Sequence, residues 1–320
     1  MKKFDFEKLK ASKWLKPLKW ILAFLAIYLI YERIHGNNLP LEIWPLWTLV
    51  AVIFLSVAGM FLESRMWWLP AQRIGPLSFQ SAISNTLIFN YIHLFAPSGL
   101  SEFSARLLQF PERLNRKKSV EITALIQACK WISRFFLAAL GVLALEESGL
   151  SQGIRIWVAI FLFLVGGLAL FIILNPQPWH SLLNDRWNHR LLYWLPETLS
   201  GKFPVLYVLS LSTLKAFTYS SAFALLLIPI GNFEASAFLD LLLGTWAFYF
   251  AASLLPTLGP AEGLVKVGAG LLFFELWHLP EWQIGSAALL MWLLNKAIPG
   301  VLGGAYTLVK RYKNHKVLKT

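Results

Sequence analysis

IWPLWTLVAVIFLSVAGMFL, residues 43–62, runs for twenty residues without a charged side chain. As a helix rising 1.5 Å per residue it spans about 30 Å, the thickness of a bilayer's hydrocarbon core. A lone segment in that medium must satisfy its backbone hydrogen bonds internally, and only a helix does so. Comparable runs occupy Ile122–Leu145, Ile156–Leu174, Val205–Pro229, Ala235–Leu255 and Ile284–Val309. A shorter one, Trp20–Tyr31, follows a tail carrying seven lysines, whose stems reach the interface by snorkelling. Glu32-Arg33 follows it in place of a small-residue cleavage site, so it reads as a retained first span. Seven runs of this kind predict an all-α polytopic bundle.

Composition agrees. The chain has 320 residues, 57% of them hydrophobic and 14% charged, whereas soluble domains carry about 25% charge. No polar stretch is long enough for a separate soluble domain, which excludes enzymes that need an aqueous catalytic domain. The expected organisation is a basic tail over 1–19, one transmembrane domain over 20–309 and a second basic tail over 310–320. A net charge of +12 in such a chain reports orientation rather than nucleic-acid binding. The single cysteine, Cys129, excludes disulfides and thiolate metal sites. No metal and no cofactor is expected.

Both basic tails point to the cytoplasmic side of an inner membrane, which requires an even number of crossings. Two further segments, Ser81–Leu108 and Pro256–Leu276, are broken by Pro and Gly. Basic residues Arg113, Arg116, Lys117 and Lys118 follow the first, so Ser81–Leu108 is expected to be a re-entrant hairpin. Pro256–Leu276 then supplies the eighth crossing. Trp179–Trp194 places Trp179, Leu183, Trp187 and Trp194 on one stripe and predicts an in-plane interfacial helix. A surface helix packed on the bundle fits the same periodicity.

Several charges fall where charge is costly. Arg106, Lys130, Arg134, Lys215, Lys266 and Lys296 lie within or beside apolar segments, with Glu102, Glu262 and Asp240 as acids in comparable places. Each costs about 2.5–3.5 kcal/mol at mid-membrane, so lipid exposure of all six cations is untenable. They are expected to face a bundle interior, to pair, or, for Lys130 and Lys296, to snorkel. A pattern joins them: the break at Pro97 and Gly99 precedes Glu102 and Arg106, and the break at Pro256 and Gly259 precedes Glu262 and Lys266. Each is a broken helix, an acid, and a base four residues on along the same face. The acids stand 160 residues apart, half the chain. Arg134 with Gly141 and Lys296 with Gly303 recur in the same sense. Two pseudo-repeats, about 20–150 and 200–309, with broken helices near the midplane are a pointer to a transporter site. Two ion pairs that merely lock hairpins are the structural alternative. Six cations against three acids favour an anionic partner, and phosphate suits both Arg forks and Lys point charges. An apolar bundle with such a site suggests a phospholipid or a polyprenyl-phosphate-linked carrier.

These residues resemble the transmembrane region of the lysylphosphatidylglycerol synthases, a broad flippase-like membrane family. The resemblance is carried by Asn90 with FAPSGLSEFSAR (95–106), by LLPTLGPAEGLVKVGAG (254–270), and by Lys296 followed by PGVLGG (299–304). It covers roughly Leu15–Val309. Ser101 stands where the family places Gly before its acid, and Lys266 where an Arg is expected. The resemblance implies an integral membrane lipid flippase or lipid-handling protein without synthase activity, because only a short basic tail follows the membrane region. By this reading Arg106, Lys266, Arg134 and Lys215 hold a head group, and Glu102 and Glu262 orient them or couple to a proton. The rival classes are a membrane transferase on lipid-linked substrates, using Glu102 or His93, and a non-transporting partner of a separate glycosyltransferase or synthase.

No zincin, Walker A, nucleophile-elbow or cysteine-pair motif is present. Asn85, Asn90 and His93 give the first hairpin a polar face and are expected to cap broken helices or bond between helices. Ser98 and Ser101 have no Ser/His spacing that supports an intramembrane serine protease.

Overall fold

The computed structural model describes residues 44–96, 98–110, 113–145, 151–175, 202–254, 260–274, 279 and 281–317. The expected first span, the N-terminal tail and the interfacial helix over 179–194 lie outside these residues, as do Pro97, Pro256 and Gly259. Helix accounts for 90% of the structure, with no strand among the described residues. In chain order the helices are α1 (Leu46–Ala71), α2 (Phe79–His93), α3 (Ser98–Gln109), α4 (Arg113–Leu143), α5 (Gln152–Leu174) and α6 (Lys202–Ile230). They continue with α7 (Phe238–Leu254), α8 (Pro260–Phe274), α9 (Glu281–Trp292) and α10 (Ile298–Val317). Six helical segments are long and apolar enough to cross a membrane: Leu46–Ala71, Arg116–Leu143, Gln152–Leu174, Pro204–Ile230, Ala235–Leu254 and Gln283–Lys310. The chain is therefore an integral membrane protein.

Local chemistry sets the helix boundaries. Ser78 accepts from the amide of Ser81 at 3.2 Å and starts α2, and Ser151 accepts from Ile154 at 3.4 Å and starts α5. Pro299 has no N–H to give to the carbonyl four residues back. Just before it the helix widens into a π turn, Leu293–Ala297, that joins α9 to α10. Two boundaries differ from expectation. Helix α1 does not stop at Leu62 but runs nine residues further, carrying Glu63 inside, because Met66, Trp67 and Ala71 remain fully buried. Helix α10 continues past Val309 to Val317, into the basic C-terminal stretch.

Segment Ser81–Leu108 folds as a hairpin whose arms, α2 and α3, pack together. Asn85 joins them, donating from Nδ2 to the Ala105 carbonyl at 2.6 Å. The second broken segment yields α8, 15 residues long. That length gives about 22 Å of helix, and α8 is not among the six long segments. It packs against α9 and α7.

Helices α1 and α6 form an antiparallel pair. Trp44 Nε1 donates to the Leu226 carbonyl at one end (3.0 Å) and Arg65 Nε to the Tyr207 hydroxyl at the other (3.1 Å). Between these ends Gly59 lies directly under the Tyr219 ring. Two further crossings are closer still. Gly141 of α4 meets the backbone of Leu243 and Ala247 in α7, and Gly303 of α10 meets the backbone of Leu87 and Ile88 in α2. Small residues that let backbones touch are how membrane helices gain packing energy where no hydrophobic force acts between them. An aromatic core lies beyond the α1–α6 pair. Phe223, Phe248 and Phe274 are fully buried with ring centroids 5.2–5.7 Å apart. Helix α5 faces outward, exposing Trp157, Phe161, Leu164 and Phe171.

Alanine at Gly303 puts a methyl into the Leu87 carbonyl, so Gly303→Ala should lower stability by about 1–3 kcal/mol. Gly153→Ala, which faces open space, should not. Thermal unfolding of the two variants in one detergent checks the difference.

Candidate functional site

The site begins with a carboxylate. Glu63 is 2% exposed and lies two-thirds of the way along α1. Three cations from three other helices converge on it. Lys130 of α4 places Nζ 2.7 Å from Oε1, Lys215 of α6 pairs with Oε2, and Nη2 of Arg106 in α3 lies 3.5 Å from Oε1. Glu102, 1% exposed, shares two of these partners, with Lys130 Nζ at 2.8 Å and Arg106 Nη2 at 3.7 Å, and accepts from Gln127 Nε2. Arg106 is fully buried. Its Nη1 donates to Asn85 Oδ1 at 2.7 Å, and its guanidinium lies over the Trp67 ring, 4.7 Å from the centroid. The indole of Trp67 is fixed in turn by donating to Gln109 Oε1 at 2.6 Å. Two carboxylates thus hold three cations, and each buried charge meets an opposite one, the condition for placing charge in a low-dielectric interior.

A second cluster ties the first hairpin to α8. Glu262 receives Lys266 Nζ at 2.7 Å across one helical turn and pairs with Nε2 of His93, the last residue of α2. His93 Nδ1 lies 3.5 Å from the Ser101 hydroxyl, so folding creates a Ser–His–carboxylate row that linear spacing does not show. Ser101 and His93 are both fully buried, and as placed the row connects helices.

Lys296 and Arg134 have no carboxylate at ion-pair distance among the described residues. Each rests on an aromatic face instead: Lys296 Nζ lies 4.8 Å from the Phe89 centroid, and the Arg134 guanidinium 5.0 Å from Trp131. Lys296 belongs to the π turn, which brings it and Asn295 to a cavity that Glu63, Lys215, Asn90 and Ser56 also line. The cavity has room for about one water molecule.

Most of the expected residues therefore assemble, in a different grouping from the expected one. Glu102 and Arg106 pair at i,i+4, as do Glu262 and Lys266. Lys215 joins the first cluster, Lys296 reaches the cavity, and Lys130 points inward to two carboxylates rather than snorkelling. Asp240 is corrected: it lies in the first turn of α7 and is exposed, where a carboxylate complements the helix dipole. Glu63 takes its place as the third interior acid. Its position directly after an uncharged twenty-residue run reads as the end of a span, and the burial of Met66 and Trp67 in the next turn is what shows the helix continuing. No family model, no curated protein and no solved structure matches this chain.

Glu63→Ala leaves Lys130, Lys215 and Arg106 facing one another and should cost about 3–5 kcal/mol. Lys215→Met leaves Glu63 with two cations and should cost less. Thermal unfolding of purified variants in detergent ranks them, and the reverse order would remove Glu63 from the centre of the cluster.

Proposed function

We propose that this is a flippase-like protein of the cytoplasmic membrane that binds and moves lipids with an anionic, phosphate-bearing head group. The observation that carries the reading is the charge balance around the two ion-pair clusters: six cations against the three carboxylates Glu63, Glu102 and Glu262, with the further buried carboxylate Glu121 paired separately to Lys117. That excess lies beside a cavity between α1, α2, α6 and the π turn. A lipid phosphate supplies the missing negative charge and offers oxygens to several cations at once. Lys215, Lys296, Lys266 and Arg134 are the head-group cations. Arg106, fully buried beneath Glu63, Glu102 and Trp67, is a positioning residue.

A duplicated architecture supports the same reading. Helices α1 to α4 correspond in order and offset to α6, α7, α8 and the α9–α10 pair. Gly59 and Tyr219, which touch, are 160 residues apart, so the antiparallel α1–α6 crossing brings matching positions together. The Gly141–Ala247 contact has its counterpart in Gly303–Leu87 with the halves exchanged. Such reciprocity is what an in-plane twofold produces, and inverted halves are a common basis for alternating access. In this reading α7, although long enough to cross, turns back with α8, which leaves an even number of crossings with both termini cytoplasmic and makes α2–α3 and α7–α8 two hairpins entering from opposite sides. The cavity is far smaller than a phosphate, so head-group entry requires the halves to part. The lysines released from Glu63 and Glu262 are then the ones the phosphate takes.

A transferase acting on lipid-linked substrates is favoured by one feature, the Ser101–His93–Glu262 row. Its mark is a covalently altered lipid seen by mass spectrometry with purified protein alone.

In liposomes, the protein should speed inward movement of a fluorescent phosphatidylglycerol. Lys296→Ala combined with Arg134→Ala should slow it at least tenfold while the protein remains monodisperse in detergent. Movement of the anionic probe at the protein-free rate by the natural chain would overturn the proposal.

A further inference from the structure

The cavity beside Glu63 carries more than its place in a lipid path. Two ammonium groups, those of Lys215 and Lys296, line it together with the amide of Asn295. Lys215 is already paired with Glu63, which also serves Lys130 and Arg106. Lys296 has an aromatic face and no carboxylate. Around this cavity Glu63 and Glu102 thus meet Arg106, Lys130, Lys215 and Lys296, a local surplus of two positive charges. In a low-dielectric interior such a surplus draws an anion.

One unsatisfied donor, the Ser56 hydroxyl, points the same way. Serines and threonines of this bundle commonly donate to the carbonyl one turn back, as Ser64 does to Met60, Thr86 to Ala82 and Ser133 to Cys129. Ser56 lines the cavity, is 5% exposed, and its hydroxyl has no partner; Asn295 Oδ1 is likewise buried and unpartnered. A hydroxyl donor and two ammonium groups line this one-water space, and its one carboxylate, Glu63, is already held by three cations. The space is too small for a tetrahedral oxyanion.

We propose that this cavity is a binding site for a single monatomic anion of halide size, held by Lys296, Lys215, the Ser56 hydroxyl and the Asn295 amide. The anion neutralises Lys296, which has no carboxylate partner among the described residues. For this contact Asn295 turns its NH2 toward the anion, an orientation equivalent in shape to the opposite one. The site goes beyond the lipid reading and does not depend on it.

Equilibrium dialysis of the full chain in detergent against radiolabelled chloride, with gluconate holding ionic strength constant, reads the site directly. The expected result is saturable binding of one chloride per chain, displaced by bromide and not by phosphate or sulfate. Lys296→Gln should abolish it. Ser56→Ala should weaken it about three- to tenfold, the worth of one hydrogen bond, and decides the matter should Lys296→Gln fail to fold. Absence of saturable chloride, displacement by phosphate as readily as by bromide, or unchanged affinity in Ser56→Ala would each overturn the site. Chloride binding is read without lipid movement, so failure here leaves the lipid proposal standing, and failure of lipid movement leaves this one.

Discussion

One buried carboxylate organises the interior of this bundle. Glu63 projects from α1 into the only region where α3, α4 and α6 bring cations close together among the described residues, and each of those helices contributes one. In hydrocarbon no water compensates a stray charge, so the pairings constrain how the helices sit. A shift of α4 that separated Lys130 from Glu63 and Glu102 would strand the Lys130 ammonium and take one cation from each carboxylate. Buried ion pairs add little net stability over well-packed apolar residues. Their better-attested role is specificity, and here the specified quantity is the mutual register of four helices.

The same constraint explains why Arg106 is so heavily supported. A guanidinium with no solvent exposure needs donors matched and its planar face covered. Asn85 accepts one N–H, Glu63 and Glu102 supply opposite charge at 3.5 and 3.7 Å, and Trp67 covers the planar face, while Nε and Nη2 make no hydrogen bond. Asn85 in turn links back to the Ala105 carbonyl, so the residues that hold Arg106 also close the α2–α3 hairpin. Backbone contacts at Gly141 and Gly303 fasten α4 to α7 and α10 to α2. Polar register and small-residue crossings divide the work of assembly.

Under the repeat reading, the two halves are alike in frame and unlike in content. The position matching Glu63 is Phe223, at the heart of an aromatic group with Phe248, Tyr249 and Phe274. One half therefore buries charge where the other buries rings. Rings slide over one another at small cost, whereas ion pairs break in discrete steps. The cavity with Lys296 lies on the charged side, lined by Glu63 and Lys215. The π turn that presents Lys296 is a local departure from regular helix forced by Pro299, and such turns recur at working sites.

The sequence by itself determined the membrane class, because twenty-residue uncharged runs have no other stable use. It also determined the pairing within each broken segment: Glu102 with Arg106 and Glu262 with Lys266 are fixed by helical geometry once the helix is granted. Tertiary structure alone decided which acid is central. Glu63 looked like a span boundary, and only the burial of Met66, Trp67 and Ala71 after it shows the helix continuing inward. Asp240 looked equivalent and is an exposed helix-start residue. The meeting of His93 with Glu262, 169 residues apart, and of Lys215 with Glu63, 152 apart, depends on which helices become neighbours. Hydropathy specifies that a helix crosses a bilayer; close-packed glycines and the pairing of buried charges specify against what it rests.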